Sequence, residues 1–283
     1  MEMRTDRTGF YDPETLAREV AKRIAAARRS EEVIDYVTFV PDGEPTLDAN
    51  LGREITLVKR LGARVAVITN ASLLGSREVR DELGHADWVS VKVDAANESV
   101  WHRLDRPHRR LRLTNVLEGI RDFAARFRGT LVSETMLVAG INDCASEIEA
   151  IAGFLATLRL DAAYIAVPTR PPAESWIEIP SEARLNQAYQ VFSERHAANR
   201  VEFLTGYEGD AFSSTGRIEE DILGITAVHP MREDAVLSLV QKAGADFSVV
   251  ERLLQDHQLV CLTYGGHRFY LRRFKPTKGR GVR

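Results

Sequence analysis

The sequence predicts an α/β protein, a parallel sheet shaped as a partial barrel, followed by a smaller module. Three observations lead there. From residue 12 to residue 204, short apolar runs alternate with segments of helical periodicity. Strands separated by helices of that length pair in parallel through right-handed crossovers. About five or six such units are present, too few for a closed eight-unit barrel. From about residue 211 the pattern changes to helices followed by a hairpin.

Asp12-Pro13-Glu14 opens the first helix, with Asp12 able to cap and Pro13 suited to the first helical position. Leu16, Val20 and Ile24 then recur on one face. Residues 33–40 read as a strand that stops at Pro41-Asp42-Gly43-Glu44-Pro45. Proline and glycine there set backbone angles that a strand cannot hold, and such a loop lies where β/α proteins bind ligands. Taken alone, it also reads as a plain turn with solvated acids. Leu51 to Leu61 is a helix closed by Gly62, and Val65 to Ile68 a strand closed by Thr69-Asn70-Ala71-Ser72. A helix over 76–84 precedes a strand from Trp88 to Asp94. Val116, Leu117, Ile120, Phe123, Ala124 and Phe127 form a helical stripe. Strand 131–138, helix 143–158, strand 162–167, helix 182–197 and a short strand 201–204 complete the alternation. The predicted domains are residues 1–205 and 206–283.

The 283 residues, 44% hydrophobic and 28% charged, describe a globular protein with ample core material. A formal charge of -3 gives no bulk attraction to nucleic acid or anionic membrane. No apolar run approaches the roughly 20 residues of a membrane span, and the polar N-terminus is no signal peptide. A cytoplasmic location is expected. Cys144 and Cys261 lie far apart and show no metal-ligand spacing.

Chemistry is concentrated on strand faces. Trp88, Ser90, Lys92 and Asp94 share one face of their strand, and Glu134 is in line with Val132 and Met136. Buried parallel strands normally read apolar on both faces, so a file of Ser, Lys and Asp points to a polar cavity. Glu44, Asn70, Ser90, Lys92, Asp94 and Glu134 thus converge from consecutive strands. Lys92 is read either as a functional amine or as the ion-pair partner of Glu134 or Asp94, and Glu134 either as a site residue or as an acid on an exposed edge. His102 and His108 flank Asp105 but read as solvated groups on a helix end and loop. Gly206 to Asp210 reads as a linker turn.

In the C-terminal part, helices over 234–243 and 247–255, a third over 218–223, and a hairpin turning at Gly265-Gly266 resemble a winged helix. Arg268, Arg272, Arg273 and Lys275 make its end basic. They suit RNA or DNA phosphates, or equally a solvated tail on a docking domain.

Gly43-Glu44-Pro45-Thr46-Leu47, Thr69 to Leu74, Val93-Asp94-Ala95, Arg106-Pro107-His108 and Met136 to Asp143 occur in this order in the sequence. The series resembles radical SAM proteins over about residues 10–205, nearest the wybutosine-type tRNA-modifying enzymes and their uncharacterised relatives. The resemblance implies a partial (β/α)6 TIM-like barrel, here lacking its first strand. It also implies S-adenosylmethionine (SAM), a [4Fe-4S] cluster and an electron donor. Reductive cleavage would yield a 5′-deoxyadenosyl radical acting on an unidentified substrate, an RNA nucleoside being one class. Asp42, Gly43, Glu44 and Pro45 would hold the methionine amino group through backbone acceptors. Asn70, Ser90 and Asp94 would take the ribose or carboxylate end, and Glu134 would reach the same ligand. Lys92 and Glu134 are the catalytic candidates.

Two departures accompany the resemblance. Asp42 stands where the family often has a small residue, and the CxxxCxxC cluster motif is absent. The chain is therefore expected to be an N-terminally truncated or degenerate member, inactive as written; intact downstream site residues favour truncation. Two other functions compete: a Schiff-base barrel lyase using Lys92, and a non-catalytic nucleic-acid-binding protein.

Overall fold

The computed structural model describes residues 4–29, 31, 33–40, 43–172, 174, 176–196, 200–204, 212, 215–228, 230–264 and 266–273. They fall into two compact units, residues 1–168 with 174–206, and 169–173 with 207–283.

The first unit holds α1 (Pro13–Arg29), β1 (Val37–Phe39), a single 3-10 turn Pro45–Leu47, α2 (Leu51–Arg60), β2 (Val65–Thr69), α3 (Arg77–Leu83) and β3 (Trp88–Lys92). It continues with α4 (Glu98–Leu104), α5 (Leu113–Arg126), β4 (Thr130–Met136), α6 (Ala145–Leu155), β5 (Ala162–Ala166), α7 (Glu182–Arg195) and β6 (Val201–Leu204). The six strands form one sheet in sequence order, every pair parallel.

Strand alternation gives the sheet two unlike faces. Val65, Val67, Val89, Val91, Leu131, Ala163, Ile165 and Val201 join one apolar core with residues of α2, α3, α5, α6 and α7. The opposite face carries a polar file in direct register across four strands, Lys92–Glu134–Tyr164–Glu202. Helices therefore cover one face, and the other is left for polar groups.

Local chemistry explains the element ends. Asp12 Oδ1 accepts from the Thr15 amide at 2.9 Å and the Thr15 hydroxyl at 2.6 Å, capping α1. The predicted strand 33–40 contracts to Val37–Phe39, because β1 is an edge strand whose register with β2 runs only from Val37↔Val65 to Phe39↔Val67. Val33 is 88% exposed and contributes nothing to the core.

One glycine sets a packing distance. A Cβ on Gly119 would lie 2.3 Å from the backbone carbon and oxygen of Leu74, so α5 meets the loop after β2 backbone to backbone. Gly119→Ala is expected to cost about 2 kcal/mol through this overpacking, read as a lower urea midpoint. An unchanged midpoint would contradict the close approach.

The second unit contains α8 (Ile218–Val228), β7 (Met231–Arg232), α9 (Glu233–Lys242), α10 (Ser248–Gln255), β8 (Leu259–Tyr264) and β9 (His267–Arg272). Its antiparallel sheet runs β7-β9-β8. Ile222, Met231, Val236, Leu239, Val250, Leu253, Leu259 and Tyr270 form a core of its own. Cys261 is half-buried on β8. The glycine turn at 206–210 and Lys275 lie outside the described residues, and no described helix is long and apolar enough to cross a membrane.

Candidate functional site

A cavity of about 660 Å³ opens in the first unit at the C-terminal ends of β1, β2 and β3. Gly43, Glu44 and Pro45 reach it from the loop after β1, Asn70 and Ser72 from the loop after β2. Lys92 reaches it from the end of β3, Asp94 from just beyond that strand and Asp105 from the end of α4. Its apolar wall includes Phe10, Phe39 and Trp101.

Glu44 holds the first two loops together. Its Oε1 accepts from the Thr46 amide at 3.1 Å, the Thr46 hydroxyl at 2.6 Å and the Thr69 hydroxyl at 2.5 Å. Its Oε2 accepts from the Asn70 amide at 2.7 Å. Burial raises the Glu44 pKa and these donors pull it back, with burial prevailing. The carboxylate is thus committed within the protein, and what this loop offers the cavity is backbone. Asn70 is exposed, and its Oδ1 accepts from the Ser72 amide at 2.9 Å. Ala71 takes a left-handed φ of 62° between them.

Asp94 and Asn142 join the ends of β3 and β4. Asp94 Oδ1 accepts from the Met136 amide at 2.8 Å. Asn142 Nδ2 donates to the carbonyls of Asp94 and Met136, both at 2.8 Å, and its Oδ1 accepts from the Val138 amide at 2.8 Å. Lys92 Nζ lies 3.2 Å from Asp94 Oδ2 and 3.5 Å from Glu134 Oε1. Burial lowers the affinity of Lys92 for its proton, but the carboxylates of Asp94, Glu134 and Asp105 more than reverse this, and its pKa is raised. A Schiff-base lysine needs the opposite shift. The ion pairs thus favour Lys92 as a held ammonium over the Schiff-base amine of the lyase reading. Borohydride trapping with a panel of aldehydes and ketones is expected to leave it unmodified by mass spectrometry, and a reduced adduct at Lys92 would overturn that.

Asp105, which the sequence presents only as a neighbour of two histidines, belongs to this cluster. Burial first, then the Asp94 charge, raises its pKa, and a hydrogen bond ties it to Asp94. More than a third of Asp105 is exposed, so solvent tempers the shift. His102 pairs with Glu98 at 3.4 Å, and His108 lines the cavity wall. Among the described residues, no group of three His, Cys, Asp or Glu side chains could hold a metal ion.

Not all of the expected site residues meet. Gly43, Glu44, Pro45, Asn70, Lys92 and Asp94 line the cavity together. Asp42 lies outside the described residues. Ser90 is 3% exposed and does not line the cavity; it stands two residues before the end of β3, below the cavity floor. Glu134 does not line it either and connects to it through Lys92. Glu54, absent from the expected set, does line it. Its signal is legible in the sequence: Leu51, Glu54, Ile55 and Val58 are all buried on α2, a carboxylate inside an apolar helical stripe.

In the second unit the side chains of Arg268 and Arg272 have internal partners. Arg268 pairs with Glu233 at 2.7 Å and lies over the Tyr270 ring at 5.7 Å. Arg272 donates to the Leu223 carbonyl at 3.4 Å, and the Arg273 amide donates to the Gln258 carbonyl at 2.8 Å.

The family model described as the radical SAM superfamily matches residues 3–155. A UPF0026 protein of Methanocaldococcus jannaschii is 37% identical over 270 residues, covering 95% of this chain and 84% of its own length. A probable dual-specificity RNA methyltransferase RlmN of Synechocystis is 28% identical over 191 residues, 64% of this chain and 52% of that protein. Among solved structures, a radical SAM methyltransferase from Sphaerobacter thermophilus superposes with a TM-score of 0.54 at 20% identity, covering 70% of this chain and 60% of that one. That likeness is one of fold.

Proposed function

The chain belongs to the radical SAM superfamily, and from that membership we propose that the cavity at the ends of β1, β2 and β3 binds S-adenosylmethionine. The superfamily's cofactors are SAM and an iron–sulfur cluster. The observation that carries the reading is the gathering of Gly43, Asn70 and Asp94 around one 660 Å³ cavity with an apolar wall. A sulfonium cation with an adenine ring suits acceptors set against apolar surface. Backbone acceptors of Gly43, Glu44 and Pro45 receive the methionine ammonium, with Glu44 fixing that loop from behind. Asn70 takes the ribose or carboxylate end. Asp94, held by Met136 and Lys92, sets the negative charge of the floor, and Lys92 with Glu134 faces the open side of the sheet.

The residues present do not fit the cluster. An iron–sulfur centre needs several thiolates, and this sequence has two cysteines. Cys144 is exposed just before α6 in the first unit, and Cys261 is half-buried on β8 in the second. No step through the cluster is assigned to these residues. The proposed activity is that of the superfamily, reductive cleavage of SAM fed by an electron donor. An RNA nucleoside is the proposed substrate class, supported by the RNA methyltransferase relative. The first unit is proposed to be the partial barrel, and the location to be cytoplasmic.

The test is iron, sulfide and the visible spectrum after anaerobic reconstitution, with SAM cleavage under dithionite. It is run on this chain and on a version extended upstream to the next in-frame start. Cluster assembly with SAM cleavage in either form supports the radical reading; iron in neither form would remove it.

The second unit supports a further reading. Its order α8-β7-α9-α10-β8-β9 over a three-stranded antiparallel sheet supports reading it as a winged helix, proposed here to contact nucleic acid. Salt-dependent binding of RNA or DNA by the full chain is its test, and no binding at low salt would remove it.

A further inference from the structure

Glu54 differs from the other buried carboxylates among the described residues. Glu44, Asp48, Asp94, Glu147 and Asp221 are buried, and each accepts hydrogen bonds from backbone amides. Glu54 is only 2% exposed, its Oε1 is buried, and that oxygen has no hydrogen-bond partner among the described residues. Native proteins rarely leave a buried carboxyl oxygen unpaired without a reason. The side chain lines the 660 Å³ cavity, so the unpaired group stands at a space able to hold a ligand.

The surrounding charges indicate what kind of ligand fits. Asp48, of the same sign, acts on Glu54. Arg53, next in sequence, is paired with Glu14. Arg7 is committed to Glu82 and to the carbonyls of Thr46 and Asp48. A neutral donor would satisfy an oxygen of Glu54, but only a cation would also offset the negative charge that Glu54 and Asp48 carry together once Glu54 is ionised. The cavity wall supplies apolar surface from Phe10, Tyr11, Leu16 and Leu117.

We propose that Glu54 receives the ammonium group of a molecule with an apolar or aromatic body bound in this cavity. That ammonium has two sources, a primary amine on a separate substrate or the amino group of SAM, which would then bond Glu54 as well as the backbone acceptors of Gly43, Glu44 and Pro45. The second source rests on the SAM reading above; the site itself does not.

Phenethylammonium and its uncharged counterpart 2-phenylethanol are titrated into the full chain and followed by ligand-observed NMR. The wild type and Glu54→Gln are compared, each with and without saturating SAM. The ammonium is expected to bind the wild type at least ten-fold more tightly than the alcohol, and Glu54→Gln to lose that preference. Displacement by SAM supports the site with SAM as the source; retention beside bound SAM supports it with a separate amine. Equal binding of the two probes, no ammonium binding to the wild type, or an unchanged preference in Glu54→Gln overturns the proposal. Failure of SAM to bind would defeat the proposed function alone, since the probe preference is measured without it.

Discussion

Glu44→Ala is expected to destabilise the first unit by about 3–5 kcal/mol and to weaken any ligand of the cavity at least ten-fold. The side chain ties the turn at Thr46 to the loop at Thr69 and Asn70 through four hydrogen bonds. Removing it leaves the Asn70 amide and the Thr69 hydroxyl facing a void in a buried place, and the two loops lose their spacing. Glu44→Gln keeps one oxygen acceptor and is expected to fall between wild type and alanine. Urea unfolding measures the loss, and titration with SAM measures the binding. A stability loss under about 1 kcal/mol, with SAM affinity unchanged, would show that the loops are placed by something else.

Glu54→Gln is expected to do the reverse and stabilise the protein, at neutral and alkaline pH only. Burial first, and then Asp48, raises the Glu54 pKa from 4.5 to about 7. The folded state therefore retains a proton that the unfolded chain has released. Stability falls as pH climbs from about 4.5 to about 7 and stays reduced above that. The full difference is about 3 kcal/mol. Glutamine mimics the protonated acid and removes this slope, so the variant should gain most at pH 8 and nearly nothing at pH 4. Urea midpoints across that range read it directly. A gain that does not change with pH would mean that Glu54 does not titrate in this window. A site residue left destabilising in the empty protein is the usual cost of holding a group ready for a ligand.

These two residues also show what a sequence displays and what it hides. The alternation of strands and helices was legible because apolar spacing and end signals agreed. Asp12-Pro13 starts α1, and β5, β6 and α7 begin where their patterns begin. The loop at Gly43 to Leu47 was legible as a ligand loop, but the internal use of the Glu44 carboxylate was not, because its partners lie 25 and 26 residues away. Alternation on β3 told which face Ser90 occupies without telling its depth, and depth separates it from Lys92 and Asp94. Asn142 reaches Asp94 across 48 residues, a contact made only by pairing β3 with β4. Asp105 gains its meaning from Asp94 and Lys92, which spacing cannot reveal. Glu54 is the instructive miss, since a carboxylate on the apolar stripe of a helix is visible before any coordinates exist.

The claim at the centre is that the cavity over β1, β2 and β3 is the SAM site, and amide hydrogen exchange of this chain with and without SAM tests it most directly. Slowed exchange is predicted in the loops at 43–47, 69–72 and 93–96, with the second unit unchanged. Unaltered exchange in all three loops, or protection confined to other segments, would contradict it.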